Sequence, residues 1–113
     1  VHELRIAEAV IDTVRRELDS EKLSSVETIG LRIGVMSGVD PESLKFSFSA
    51  ATSGTELDRS GLEIEIIPVQ AHCEKCHKDF AVDELIFRCP ACGTSDINMT
   101  RGDEIEISFI GYK

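Results

Sequence analysis

The 113-residue sequence predicts an α+β fold: two helices on a small three-stranded sheet, interrupted by an inserted cysteine module. Three observations carry this. The chain opens on a 3.6-residue apolar period, three later stretches alternate with a period of two, and all four cysteines fall into two C-x-x-C pairs between them.

The elements follow in order. Leu4, Ala7, Ile11, Val14 and Leu18 share one helical face, while Arg5, Glu8, Asp12, Arg15, Arg16 and Asp19 fill the remainder. From residue 26 to 36 the period becomes two: Ile29, Leu31, Ile33 and Val35 point one way, Gly30, Arg32 and Gly34 the other. SGVDPESL then starts a second helix, with Asp40 as N-cap, Pro41 in the first helical position and Glu42 in the first turn. Leu44, Phe48 and Ala51 form its apolar stripe and Gly54 its stop. Leu62, Ile64 and Ile66 alternate with Glu63 and Glu65 up to Pro68, and the alternation returns in EIEISFI, with Ile105, Ile107 and Phe109 on one face.

These boundaries predict an α/β domain over residues 1–69, completed by a final strand at 102–113, and an inserted domain over 70–101. The last strand is expected to return to the first sheet, because three strands share one core better than two. The opposite sheet face, with Arg32, Glu63, Glu65 and Glu106, is expected to stay wet or meet a partner.

Composition narrows the function. The net charge is −9, and four thiolates around one divalent ion would take it to about −11. That argues against nucleic acid and anionic membranes as partners and suits a basic surface or a cation. No run is long and apolar enough for a membrane span, and charged residues at Glu3, Arg5, Glu8 and Asp12 break any signal-peptide core. The expected location is the reducing cytoplasm, where paired cysteines favour metal over disulfides. There is no Walker motif, no G-x-G-x-x-G and no nucleophile–base pair to argue from, so an enzyme is not expected.

The cysteines read C-x2-C-x12-C-x2-C: Cys73, Cys76, Cys89 and Cys92. Two such turns close a tetrahedral sulfur cage, with Pro90 stiffening the second turn and Gly93 permitting the twist after it. CEKCH alone also matches a c-type haem attachment, but that leaves the second pair unexplained and requires export. An iron cage of the rubredoxin kind fits the ligands, yet such a carrier is mostly its own small domain. A structural Zn2+ site, making residues 70–101 a zinc-ribbon-like module, is the reading these residues favour. His72 and His77 flank the cage, either as exposed residues beside a tight turn or as replacement ligands when protons compete for the thiolates. Between residues 70 and 101, four basic side chains face five acidic ones, which is no nucleic-acid surface.

With the cysteines committed to structure, chemistry is left to the other end. His2 stands second, followed by Glu3. A free amine on residue 1, with the amide and imidazole nitrogens of residue 2, chelates one ion through fused rings. Such planar nitrogen donors suit Ni(II) or Cu(II).

The opening HELRIA, the run IGVMSGVDPESLKFSF, the following SGT, the two C-x-x-C pairs with CPACG, and the terminal GDEIEIS resemble the HypA/HybF family of hydrogenase-maturation nickel metallochaperones. The resemblance spans essentially the whole chain in order. It implies a nickel-binding domain carrying an inserted zinc domain, which delivers Ni2+ to the large subunit of [NiFe]-hydrogenase with a maturation GTPase. In some organisms such proteins also serve urease, with its accessory proteins as partners. It implies that His2 binds nickel through its ring and amide, that Glu3 forms or tunes that site, and that Cys73, Cys76, Cys89 and Cys92 hold zinc. The family begins Met-His-Glu, whereas this chain has Val1; the donor register is preserved if Val1 carries the terminal amine. A zinc-ribbon adaptor without a nickel role is the alternative.

Overall fold

Helix α1 runs Glu3–Glu17, and the computed structural model describes residues 3–113. Glu3 in its first turn and Arg15 and Arg16 in its last complement the helix dipole. Ala7, Val10, Ile11 and Val14 are buried. Two expected members of the stripe stay outside it: Leu4 is 51% exposed, and Leu18 falls just past the helix end. A short helix, α2 (Ser20–Ser25), follows, which the period along the sequence does not announce. Its signal is a cap: Asp19 accepts the Lys22 N–H at 2.9 Å, and Leu23 is buried beneath.

Strand β1 (Val26–Gly34) buries Val26, Ile29, Leu31 and Ile33. Val35 does not join them: the strand ends at Gly34 and Val35–Ser37 coil into a 3-10 turn, leaving Val35 half exposed. Helix α3 (Pro41–Thr52) starts as expected, with Asp40 at the N-cap and Pro41 in the first turn. The Asp40 carboxylate accepts the Ser43 hydroxyl at 2.7 Å, and this bond holds its pKa below the usual range. Leu44 and Phe48 are fully buried; each side chain removed from water contributes about 1.5–3 kcal/mol. Thr52 rather than Ala51 completes the stripe, its hydroxyl donating to the Phe48 carbonyl at 2.9 Å.

Strand β2 (Gly61–Ile67) and the last strand, β6 (Ile105–Tyr112), flank β1 in a sheet of order β2-β1-β6. The chain's final strand thus returns to its first sheet. Phe109 departs from the expected face. Its ring lies against Gly30, which alternates with Ile29 and Leu31 and so sits on the side away from the buried residues. Gly30 has no side chain, and an added Cβ would strike the Phe109 ring.

The remaining strands are β3 (Gln70–Cys73), β4 (Asp79–Ala81) and β5 (Ile97–Arg101), in a sheet of order β4-β3-β5. Both pairings are antiparallel, with Ala71 opposite Phe80 and Met99, and a register irregularity at Gln70/Ala71. The described residues divide into two compact units. One comprises residues 3–32, 38–65 and 106–113; the other comprises residues 33–37 and 66–105. Residues 33–37 join the second because Gly34 N–H donates to the Glu104 carbonyl at 2.8 Å and Met36 N–H to that of Gly102 at 2.7 Å.

Candidate metal centre

Strand β3 delivers Cys73 to the start of a tight turn that carries Cys76, and a second turn carries Cys89 and Cys92. The two turns repeat one hydrogen-bond pattern. Cys73 N–H donates to the Lys78 carbonyl at 2.9 Å and Cys89 N–H to that of Thr94 at 3.0 Å. His77 N–H returns to the Cys73 carbonyl at 2.9 Å, and Gly93 N–H to that of Cys89 at 2.8 Å. Each turn therefore aims two sulfurs at one point.

All four Sγ atoms lie within 4.8 Å of one another, the one such group of potential metal ligands among the described residues. Cys73 and Cys92 stand 3.6 Å apart, Cys76 and Cys89 3.5 Å. These spacings fit a metal better than a covalent link. A disulfide needs about 2.05 Å, whereas a tetrahedral ion bound at about 2.3 Å sets its sulfurs about 3.8 Å apart. Cys73 and Cys89 are buried, Cys76 is half-buried and Cys92 exposed.

The thiols sort into two kinds. The Cys76 N–H, donating to Cys73 Sγ at 3.3 Å, leads the causes that lower the Cys73 pKa. Burial pushes Cys89 up, but the N–H groups of Cys92 and Ala91 and the Cys76 and Cys92 thiols outweigh it, holding Cys89 at about 6. Cys76 moves the other way, to about 11: the Lys78 N–H pulls it down, but the Cys73 and Cys89 sulfurs and burial prevail. Cys92 is raised too: the Thr94 N–H lowers it, but burial and the sulfurs of Cys73 and Cys89 prevail. Four thiolates this close need a cation among them. The donor set fits a d10 ion such as zinc, with all four sulfurs as its ligands.

His72 and His77 have their rings 6.0 Å apart. The register of β3 on β4 sets His72 opposite Asp79, and its Nδ1 lies 2.7 Å from the Asp79 carboxylate, which raises the His72 pKa. His77 is exposed and holds a left-handed backbone, φ 61°.

At the other end, Val1 and His2 lie outside the described residues. Glu3 is half-buried at the first position of α1, and its carboxylate accepts the backbone N–H of Asp40 at 3.3 Å. The starts of α1 and α3 are thereby joined. Sequence reasoning missed this contact, since its partners are 37 positions apart.

A small α+β unit and a second unit built around a four-cysteine cage define the class: a two-unit α+β protein with a candidate structural metal centre. The chain belongs to the HypA family, whose model, described as hydrogenase/urease nickel incorporation metallochaperone, matches residues 1–112. It is 35% identical over 114 aligned residues to the hydrogenase maturation factor HypA of Roseiflexus sp. (strain RS-1), covering 100% of this chain and 93% of that one. It is 37% identical over 110 residues to the factor of the same name from Prosthecochloris aestuarii, with 97% of both covered. In fold it is similar to the solution structure of the Ni metallochaperone HypA from Helicobacter pylori. The TM-score there is 0.69 at 18% identity, over 99% of this chain and 97% of that one. A second HypA solution structure gives a TM-score of 0.74 at 18% identity, over 99% of this chain and 96% of that one. Among the described residues, no helix is long and apolar enough to cross a membrane.

Proposed function

We propose that this chain is a carrier that binds Ni(II) at its N-terminus and delivers it during [NiFe]-hydrogenase maturation, serving urease as well where that enzyme is present. The family match over residues 1–112 carries this reading. The nickel donors are the ring and amide of His2, with the α-amine of Val1 where that residue is the true N-terminus, and Glu3 beside them. Nitrogen-rich donors of this kind favour Ni(II) over the tetrahedral ions that four sulfurs select. A terminal site also suits a carrier, because a partner displaces its ligands one at a time.

In this reading Cys73, Cys76, Cys89 and Cys92 hold a resident Zn(II), which supplies structure rather than reaction chemistry. The domains are a nickel-binding domain over residues 1–69 with 102–113, and the zinc domain over 70–101. The partners are a maturation GTPase, the hydrogenase large subunit and urease accessory proteins, in the cytoplasm. Support for a carrier over an enzyme is the family description as a metallochaperone.

The test is nickel titration of zinc-loaded protein with a free Val1 amine, beside a copy extended by two residues and a His2→Ala variant. Tight binding by the first alone supports the carrier. Equal binding by all three overturns it and leaves a zinc-ribbon adaptor.

A further inference from the structure

The three-stranded sheet β2-β1-β6 has an open face. Arg32, Glu65 and Glu106 project from it and keep 42%, 64% and 51% of their side-chain surface. A groove of about 470 Å³ runs across this face, lined by Arg32, Glu63, Ile64, Glu65, Ser108 and Phe109. All of it belongs to one compact unit. The Phe109 ring, 46% exposed, leans over Gly30 and walls the groove with an aromatic surface.

The charges on this face are unequal. Its cation, Arg32, is already shared, with Nε 3.4 Å from Glu65 and Nη1 3.6 Å from Glu106. The Glu63 carboxylate has no hydrogen-bond or ion-pair partner among the described residues, and the residue is exposed. Three carboxylates thus stand against one guanidinium, on a chain of net charge −9. An anionic occupant is repelled. A second copy of the chain would bring the same three carboxylates against these.

We infer that this face docks a lysine- or arginine-bearing segment of a partner protein. A long basic side chain fits both parts of the groove. Its aliphatic stem lies along the Phe109 ring, and its charged end reaches Glu63 and Glu65. A cation over an exposed phenyl face is also attracted to the ring's negative face. The inference rests on this face alone and is independent of the nickel site and the cysteine cage.

The experiment is amide-resolved NMR titration of zinc-loaded full chain with a short peptide alternating Lys and Val, against one alternating Glu and Val. The expected result is shifts confined to Gly30, Arg32, Glu63, Glu65 and Phe109 with the basic peptide only. Reversing Glu63→Lys with Glu65→Lys, both exposed, should weaken binding about tenfold or more, the loss of a rim of favourable charge. Reversing Glu8→Lys with Glu17→Lys on α1 changes net charge equally and should weaken it by less than about twofold if the site is local. Equal weakening by both pairs, shifts spread over α1, or no shifts at all would overturn the proposal. So would self-association in sedimentation that the basic peptide fails to reverse. Nickel titration of the same variants reads the carrier separately, so the two readings fail independently.

Discussion

His77 and Gly93 occupy the same place in two copies of one turn. Each follows the second cysteine of its pair, each donates its N–H to the carbonyl of the first, and each has a left-handed backbone, φ 61° and 74°. Glycine holds that conformation without strain. A side chain there costs about 1–2 kcal/mol.

His77→Gly should therefore leave the protein as stable or up to about 1 kcal/mol more so, the relief being partly offset by glycine's greater chain entropy. Gly93→Val should destabilise by about 2 kcal/mol, since branching worsens the same conformation. Chemical denaturation of metal-loaded protein checks both.

Removing the metal with a chelator should loosen residues 66–105 before the helices. That unit buries Ile33, Ile67, Val69, Ala71, Cys73 and Cys89 and little else, too small a core to hold three short strands alone. Hydrogen exchange should show lost protection in β3, β4 and β5 while α1 and α3 stay protected. Equal protection with and without metal would contradict this.

Gly30→Ala should destabilise by about 1–3 kcal/mol, because its methyl group meets the Phe109 ring. Adding Phe109→Ala should recover part of that loss. A double-mutant cycle measures the coupling, and additive effects would show that the ring simply swings aside.

Glu104 accepts the Gly102 N–H at 2.7 Å and the Arg101 Nε–H at 3.3 Å. Its own backbone N–H, that of Gly102 and Arg101 together lower its pKa. A carboxyl depressed on folding stabilises above its unfolded pKa, and that contribution is lost as pH falls through the folded value. Glu104→Gln should thus lower the melting temperature at neutral pH. The gap should close as pH drops below the ordinary carboxylate range. A gap unchanged by acid would assign the loss to packing.

Phe48→Ala should cost about 3–5 kcal/mol, as the cavity persists in a packed core. Arg15→Ala, which breaks the exposed 3.2 Å pair with Glu56, should cost under about 1 kcal/mol. Thermal melts of the two variants set the scale on which the other changes are read.

Much of this molecule is local and so readable along the chain. The sulfur cage follows from two C-x-x-C turns, because each turn closes on its own hydrogen bonds within five residues. The Asp40–Pro41 helix start needs only neighbours, and the α1 stripe needs only a period. What lies beyond the local pattern waited for the tertiary structure. Alternation states that Phe109 belongs to a strand, but only pairing with β1 set its ring over Gly30 rather than into the core. Register across two strands put Asp79 beside His72, and the packing of α1 with α3 put the Asp40 N–H beside Glu3. Turns and caps depend on a few consecutive bonds. Faces and partners depend on which distant segments share one core, and no periodicity encodes that choice.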